Sequence, residues 1–291
     1  MPCAGSGHLR RAGREESMSG KRAIAFPCAG QWLYGVLDLP PAPLARGVLV
    51  VVGGPQYRAG SHRQFTLLAR TLAAQGVPAM RFDYRGMGDS EGAIRDFENE
   101  GQDLRAAIDA FFAELPQLRE VVLWGLCDAA SAAALYAAGD PRVKGLALLN
   151  PWVRTESGAA KATIKHYYRA RLLDAGLWKK IASGKFELRK ALGSFTGLLG
   201  SARKQSAAGA LPDRMHDRLD RFDGKVLVML SGADLTAQEF SDLSACSPKW
   251  TSLMAAPRFT RRLLPKADHT CSRRQWHEQA AQWTVEWVKS L

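Results

Sequence analysis

The sequence predicts an α/β fold with a mostly parallel central sheet flanked by helices. From residue 22 onward, short apolar segments alternate with amphipathic segments of helical length, which is typical of strands and helices taken in turn. The chain has 291 residues, enough for one such domain with an insertion. Between residues 152 and 222 the alternation stops and the sequence becomes basic and helical, which predicts an inserted cap.

The first half of the core opens with two strands, at residues 23–26 and 33–39, which we expect to be antiparallel. Prolines at 40, 41 and 43 break the chain before a strand at 47–52. A helix at 65–76, ended by Gly76, leads to a strand at 78–83. A glycine-rich loop, a helix at 97–115, a strand at 121–124, a short turn into a helix of small residues, and a strand at 143–149 complete this half.

The second half resumes after the cap with a strand at 225–230, a loop over 231–240, a strand at 260–264 and a closing helix at 274–291. We therefore divide the chain into a disordered tail (1–21), a core (22–151 and 223–291) and a helical cap (152–222). The tail carries three arginines but no apolar stretch, so it does not resemble a secretory signal, and Met18 is also a plausible start.

The net charge of +12 permits anionic partners such as nucleic acid, membrane head groups or acyl-CoA. No zinc-finger or RNA-binding signature is present, so we expect no nucleic-acid partner. The cap segment holds 15 Lys and Arg against six acidic residues. An acyl carrier or a membrane surface would suit it, although a solvated helix face is the simpler account. No apolar run approaches the roughly 20 residues that span a bilayer. The sequence leaves the oligomeric state open.

The cysteines are odd in number and widely scattered, unlike a disulfide framework or a metal-binding set. This usage favours a reducing, cytoplasmic location, and we expect no metal and no cofactor. The five positions are Cys3, Cys28, Cys127, Cys246 and Cys271.

One cysteine stands in a special context, a strand followed by Gly125, Leu126, Cys127, Asp128 and Ala129. In the α/β-hydrolase fold the nucleophile lies on a sharp strand-to-helix turn, G-x-Nuc-x-G, between small residues. Cys127 therefore becomes the candidate nucleophile, with Ala at the last small position. The backbone N–H of Asp128 would face the developing oxyanion. A thiolate nucleophile forms a thioester intermediate, so both hydrolysis and acyl transfer are open.

A base and an acid follow in the order that this fold requires. Asp234 comes just after the strand at 225–230, and His269 precedes the last helix. We predict that His269 takes the thiol proton and that Asp234 orients the ring. Asp268 is a rival acid, but its adjacency to His269 makes the geometry awkward. Among the other histidines, only His62, near the GGPQ loop, is a candidate for substrate contact, and an ordinary surface histidine is the simpler account.

The loop after the strand at 47–52 normally supplies a second oxyanion N–H. It reads Gly53, Gly54, Pro55, Gln56, and Pro55 has no N–H to give. We therefore predict Gly54 or Gln56 as the donor. The loop at 83–90 is interpreted as a structural neighbour of the site.

Three segments together, VVGGPQYRAGSHRQF, MRFDYRGMGDSEG and WGLCDAAS, resemble the α/β-hydrolases known as exosortase A system-associated hydrolase, type 1. The resemblance runs from about residue 22 to the C-terminus. It implies a bacterial hydrolase encoded near exopolysaccharide and exosortase genes, with an undefined substrate. The cysteine-bearing strand-to-helix turn also resembles that of dienelactone hydrolases and polyhydroxyalkanoate synthases.

The leading hypothesis is a hydrolase of carboxylic esters or thioesters that acts on a small acyl substrate. If the substrate is a thioester, CoA or a carrier protein would carry the acyl group. One alternative is an acyltransferase that moves the acyl group to a saccharide or lipid. The other is a binding protein that kept the fold and lost turnover.

Overall fold

The computed structural model describes residues 20–54, 56–153 and 210–291. Within them, eight strands form one sheet. The strands are β1 (Gly20–Cys28), β2 (Gln31–Leu39), β3 (Arg46–Val51), β4 (Ala79–Phe82), β5 (Glu120–Leu126), β6 (Val143–Leu149), β7 (Lys225–Ser231) and β8 (Phe259–Leu264).

Seven α-helices connect these strands in the described part of the chain. They are α1 (Gln64–Ala74), α2 (Gly101–Glu114), α3 (Asp128–Ala137), α4 (Leu211–Asp220), α5 (Leu235–Cys246), α6 (Pro248–Met254) and α7 (Arg274–Ser290). Short 3₁₀ turns at Ser61–Arg63 and Phe97–Asn99 precede α1 and α2.

The strand order in the sheet is β1-β2-β4-β3-β5-β6-β7-β8. β2 runs antiparallel to β1 and to β4, and every other neighbouring pair is parallel. This confirms the predicted sheet with its antiparallel opening pair. Because β3 and β5 to β8 are parallel, their carboxyl ends meet at one edge, where ligands bind in open α/β sheets.

Helices cover both faces of the sheet with apolar side chains. On one face, α1 and α7 pack together, with Leu68 and Leu72 in the same buried cluster as Val285 and Val288. The remaining helices pack on the other face, where Phe240 and Trp250 are fully buried. Burial of one such side chain stabilises the fold by about 1.5–3 kcal/mol.

One helix begins inside the predicted loop at 231–240, and a second lies between that loop and the strand predicted at 260–264. α5 begins at Leu235 because the Asp234 carboxylate accepts the N–H groups of Thr236 and Ala237, at 3.3 and 3.1 Å, and so caps the helix. α6 follows with a proline in its first turn. The predicted loop is thus wrong from Leu235 onward.

Most of the predicted tail and most of the predicted cap lie outside the described residues. β1 begins at Gly20, two residues before the expected start of the core. Residues 154–209 of the predicted cap and residues 1–19 of the tail are not described. The last part of the predicted cap segment forms α4, which packs against α3.

No helix among residues 20–54, 56–153 and 210–291 is both long and apolar enough to cross a membrane. The four cysteines in these ranges are free thiols. The same ranges contain no group of three or more His, Cys, Asp or Glu side chains arranged to hold a metal ion.

Candidate active site

Cys127 lies on the turn between β5 and α3, at the carboxyl edge of the sheet. Its backbone has φ 63° and ψ −122°, a conformation that residues other than glycine rarely adopt. Such strain costs about 1–3 kcal/mol and is concentrated at functional sites. The turn is held on both sides, because the N–H of Cys127 donates to the Leu149 carbonyl (2.9 Å) and its carbonyl accepts from Ser131 (3.2 Å). The candidate nucleophile is therefore fixed in position.

The small residues around the turn have a steric cause. A Cβ atom on Gly125 would lie 2.6 Å from the backbone of Ala129 and Ala130, closer than any real contact. Ala129 itself is fully buried. The helix can start directly beneath the strand only because position 125 has no side chain.

The structure brings Asp234 and His269 together. His269 Nδ1 lies 2.9 Å from Asp234 Oδ2, and Asp234 is 93% buried at the N-terminus of α5. The ring therefore carries its proton on Nδ1, which leaves Nε2 to face a thiol. Asp268 does not compete, because its carboxylate accepts the N–H and the hydroxyl of Ser272.

The pKa of His269 is raised from 6.5 to about 10. The hydrogen bond to Asp234 is the largest cause, followed by a hydrogen bond to the Cys127 side chain, while burial opposes both. All three predicted catalytic residues are thus neighbours in a chain Cys127, His269, Asp234. This arrangement can store the thiol proton on the ring as an imidazolium.

Asn150 joins the ends of three strands behind the candidate base. Fully buried and with φ 49°, it donates from Nδ2 to the His269 carbonyl and to Ser231 Oγ, both at 3.0 Å. Its Oδ1 accepts the Ser231 N–H at 2.8 Å. Asn is one of the few residues other than Gly that tolerates this backbone. Asn150 therefore fixes the height of the His269 loop over the sheet.

The place expected for the oxyanion is filled by the side chain of Asp128. Its Oδ2 accepts the Gly54 N–H at 2.8 Å, and its Oδ1 accepts the Ala129 N–H at 2.9 Å. A Cβ on Gly53 would lie 2.1 Å from Oδ1, so the glycine makes room for the carboxylate. The N–H of Gln56 donates to the Gly54 carbonyl at 2.7 Å. Both predicted loop donors are therefore engaged in this conformation.

The surroundings of the Asp128 carboxyl shift its pKa in both directions. Burial raises its pKa, while the hydrogen bonds from Gly54 and Ala129 and the charge of His269 lower it. A carboxylate at this position repels a developing oxyanion, and a neutral carboxyl does not. Turnover through this site requires the carboxylate to move or to be protonated.

The loop at 83–90 supports the neighbouring chain, as expected for a structural segment. The buried Asp83 carboxylate pairs with the Arg58 guanidinium and accepts the Arg58 N–H at 2.6 Å. Asp89 binds the same guanidinium at 2.8 Å. These bonds hold the segment that follows Gln56 against the end of β4.

Comparison with known proteins agrees with this geometry. Residues 44–186 match the model of the family described as serine aminopeptidase, S33. The match includes the loop at 53–56 and the Cys127 turn. With the sheet topology described above, the chain has the α/β-hydrolase fold. Among curated proteins, no sequence match was found.

Solved structures with this fold include several hydrolytic enzymes. An esterase from Pyrococcus furiosus is 13% identical, covers 94% of this chain and 91% of its own, and superposes with a TM-score of 0.65. The esterase domain of a Rhodothermus marinus protein is 17% identical over 93% and 98%, with a TM-score of 0.57. A proline iminopeptidase from Mycobacterium smegmatis is 16% identical over 92% and 98%, with a TM-score of 0.58. At these identities the likeness concerns the fold.

Two functional side chains escaped the sequence analysis. Asp128 was considered only for its backbone N–H, although a carboxylate directly after the nucleophile was a visible signal. Asn150 directly follows the strand predicted at 143–149, and its long-range bonds could not be predicted from local sequence.

Proposed function

We propose that this α/β-hydrolase cleaves carboxylic ester or thioester bonds through a Cys127, His269, Asp234 triad and an acyl-enzyme intermediate. The observation that carries the proposal is the hydrogen bond between His269 and Asp234, opposite a thiol on a strained strand-to-helix turn. A cysteine that was merely a small core residue would need neither the strain nor the oriented ring.

The first half of the reaction acylates the enzyme. His269 Nε2 takes the proton from Cys127 Sγ, and the sulfur attacks the acyl carbon. The C–S bond forms as the carbonyl π electrons move to oxygen. When the tetrahedral intermediate collapses, the bond to the leaving alkoxide or thiolate breaks, and that group takes the proton from His269.

The second half releases the acyl group. His269 removes a proton from water, the hydroxide attacks the thioester, and the Cys127 sulfur leaves as its proton returns from the ring. The products are a carboxylic acid and the free thiol. Asp234 keeps the ring in the required tautomer throughout and stabilises the imidazolium.

Stabilisation of the oxyanion is assigned to the backbone N–H groups of Gly54 and Asp128. For this role the Asp128 carboxylate gives up the Gly54 N–H when substrate arrives. Each such donor contributes about 2.7–4 kcal/mol to transition-state stabilisation in related chemistry. The resemblance to exosortase A system-associated hydrolases would place the substrate in exopolysaccharide or protein-sorting metabolism, in the cytoplasm.

The test is acylation measured by intact mass. The protein is mixed with p-nitrophenyl esters and acyl-CoA thioesters, beside Cys127→Ala and a control, Cys246→Ala, whose thiol is exposed on α5. We expect an acyl adduct and free acid with the wild type and Cys246→Ala, and neither with Cys127→Ala. An adduct that survives in water and passes to a sugar or lipid acceptor would identify a transferase. Equal adducts in all three proteins would refute the proposed nucleophile.

A further inference from the structure

A second concave site lies beside the triad, between the first turns of α1 and α7. It is a pocket of about 490 Å³, and one wall is formed by Thr270 and Cys271, which directly follow the candidate base His269. The opposite wall is formed by the SHRQ end of the GGPQYRAGSHRQ segment, which the proposed triad does not use. The site is thus adjacent to the proposed active site but built from other residues.

The pocket is strongly basic. Its cationic or titratable basic side chains are His62, Arg63, Arg70, Arg274 and His277. Glu278 is the one acidic residue in the lining, and it already pairs with Arg274 at 2.7 Å. Within the described part of the chain, Arg63 and Arg70 form no ion pair. Two guanidinium groups are therefore available for an anion.

Backbone geometry adds to the positive field. α1 and α7 both start at the pocket and neither has a side-chain cap, although the Ala59 carbonyl accepts two N–H groups of α1. The positive ends of the two helix dipoles favour an anion at this place. His62 and Arg63 have consecutive φ values of 53° and 61°, a left-handed conformation that residues other than glycine rarely adopt.

A buried, unsatisfied donor gives independent support. Gln64 lines the pocket and is 95% buried, yet its Nε2 amide has no hydrogen-bond partner. The Nε2 atom lies just beneath the pocket surface, so a bound acceptor satisfies it once the side chain turns toward the pocket. The Gln64 carbonyl is already used by His277 Nε2 at 2.9 Å, which fixes the residue in place.

We propose that this pocket binds a phosphate group, held by Arg63 and Arg70 with the Gln64 amide as a further donor. Phosphate fits better than a carboxylate, because its double charge matches two arginines and it has enough oxygens to accept from both guanidinium groups and from a further donor. The volume exceeds that of free phosphate, so it admits a phosphate ester. This inference goes beyond the proposed hydrolysis and does not depend on it.

The experiment measures binding of inorganic pyrophosphate, phosphate and acetate by calorimetry in a Cys127→Ala background, where turnover plays no part. The variant is Arg63→Gln/Arg70→Gln. The control is Arg261→Gln/Arg262→Gln, which removes the same charge from exposed positions on β8 outside the pocket. We expect saturable pyrophosphate binding, weaker acetate binding, and an affinity loss of about tenfold or more in the first variant only.

Gln64→Leu is a second variant that preserves charge, and we expect it to weaken pyrophosphate binding without lowering the melting temperature. Coenzyme A is titrated in parallel. If its binding depends on Arg63 and Arg70 in the same way, the phosphate is part of a substrate, and if only pyrophosphate binds, it is a free ligand. No saturable binding, or equal losses in both double variants, overturns the proposal. None of these binding results tests acylation of Cys127, so the phosphate proposal and the proposed hydrolysis can fail independently.

Discussion

The carboxylate of Asp128 and the N–H of Gly54 are hydrogen-bonded at 2.8 Å, so an acidic side chain of the same chain engages the proposed oxyanion donor. We predict that Asp128→Ala frees this N–H and raises kcat/KM on p-nitrophenyl acetate by about tenfold or more, since one oxyanion donor is worth about 10²–10³ in kcat. Asp109→Ala, which removes an exposed carboxylate on α2, is the control and should change nothing. A lower rate for Asp128→Ala would show instead that the carboxyl takes part in turnover.

Asp234→Asn should lower kcat on the same ester by about 10³–10⁴, because the ring loses the partner that fixes its tautomer. It should also change the dependence of stability on pH. The folded-state pKa of His269 is raised to about 10, so its contribution is complete below pH 6.5 and is lost as the pH rises toward 10. Urea unfolding at several pH values should show this loss in the wild type and a flatter profile in the variant. Parallel profiles would contradict the assigned partner.

Asn150→Ala should act through the position of the candidate base. The change removes three buried hydrogen bonds and leaves the Ser231 N–H and the His269 carbonyl without these partners, which costs about 2–4 kcal/mol of unfolding free energy. We expect kcat to fall with little change in KM, because the His269 ring moves while the residues that bind the ester keep their positions. Asn99→Ala, at an exposed position, is the control. A stability loss with unchanged kcat would assign Asn150 a purely structural role.

Glu100 is a buried carboxyl that forms no ion pair with another described residue. Glu100→Gln tests the effect of its charge on stability. Burial raises the pKa of Glu100 to about 8, and its Oε2 has no partner. The raised pKa means that the folded state binds the proton more tightly, so stability falls as the pH rises from about 4.5 to 8. The variant should melt a few degrees higher than the wild type at pH 8, and the difference should vanish toward pH 4.5 (about 2–4 °C corresponds to 1 kcal/mol in domains of 150–250 residues). Glu286→Gln, exposed on α7, should show no such trend.

Gly125→Ala should prevent the strand-to-helix turn from forming. The new methyl would lie 2.6 Å from the backbone of α3, which cannot yield as a flexible side chain does. We expect a loss of at least about 3 kcal/mol and no acylation of Cys127. Gly101→Ala provides a matched control, because its methyl would meet only Tyr136 at 3.7 Å. Soluble, active Gly125→Ala protein would refute the steric argument.

The sequence was sufficient to predict the sheet, its antiparallel opening and the residues that meet at its carboxyl edge. Those features depend on apolar periodicity and on short turn motifs, such as the one around Cys127. It was not sufficient to predict α5. This helix starts where the Asp234 carboxylate caps it, and Asp234 is also the candidate acid of the triad. The Asp128 to Gly54 bond and the Asn150 network join residues 74 and 119 positions apart, and local patterns carry no information about such contacts.

The three candidate catalytic groups do not share the same strands. Cys127 follows β5, which has a parallel neighbour on each side, whereas His269 follows β8, at the end of the sheet. Within the described sheet β8 pairs on one side only, so we expect it to open at a lower free energy than β5. Mild heating would then detach the candidate base first and leave the thiol in place. Such a molecule could still be alkylated at Cys127 but could not turn over an ester, so loss of catalysis would precede loss of the fold.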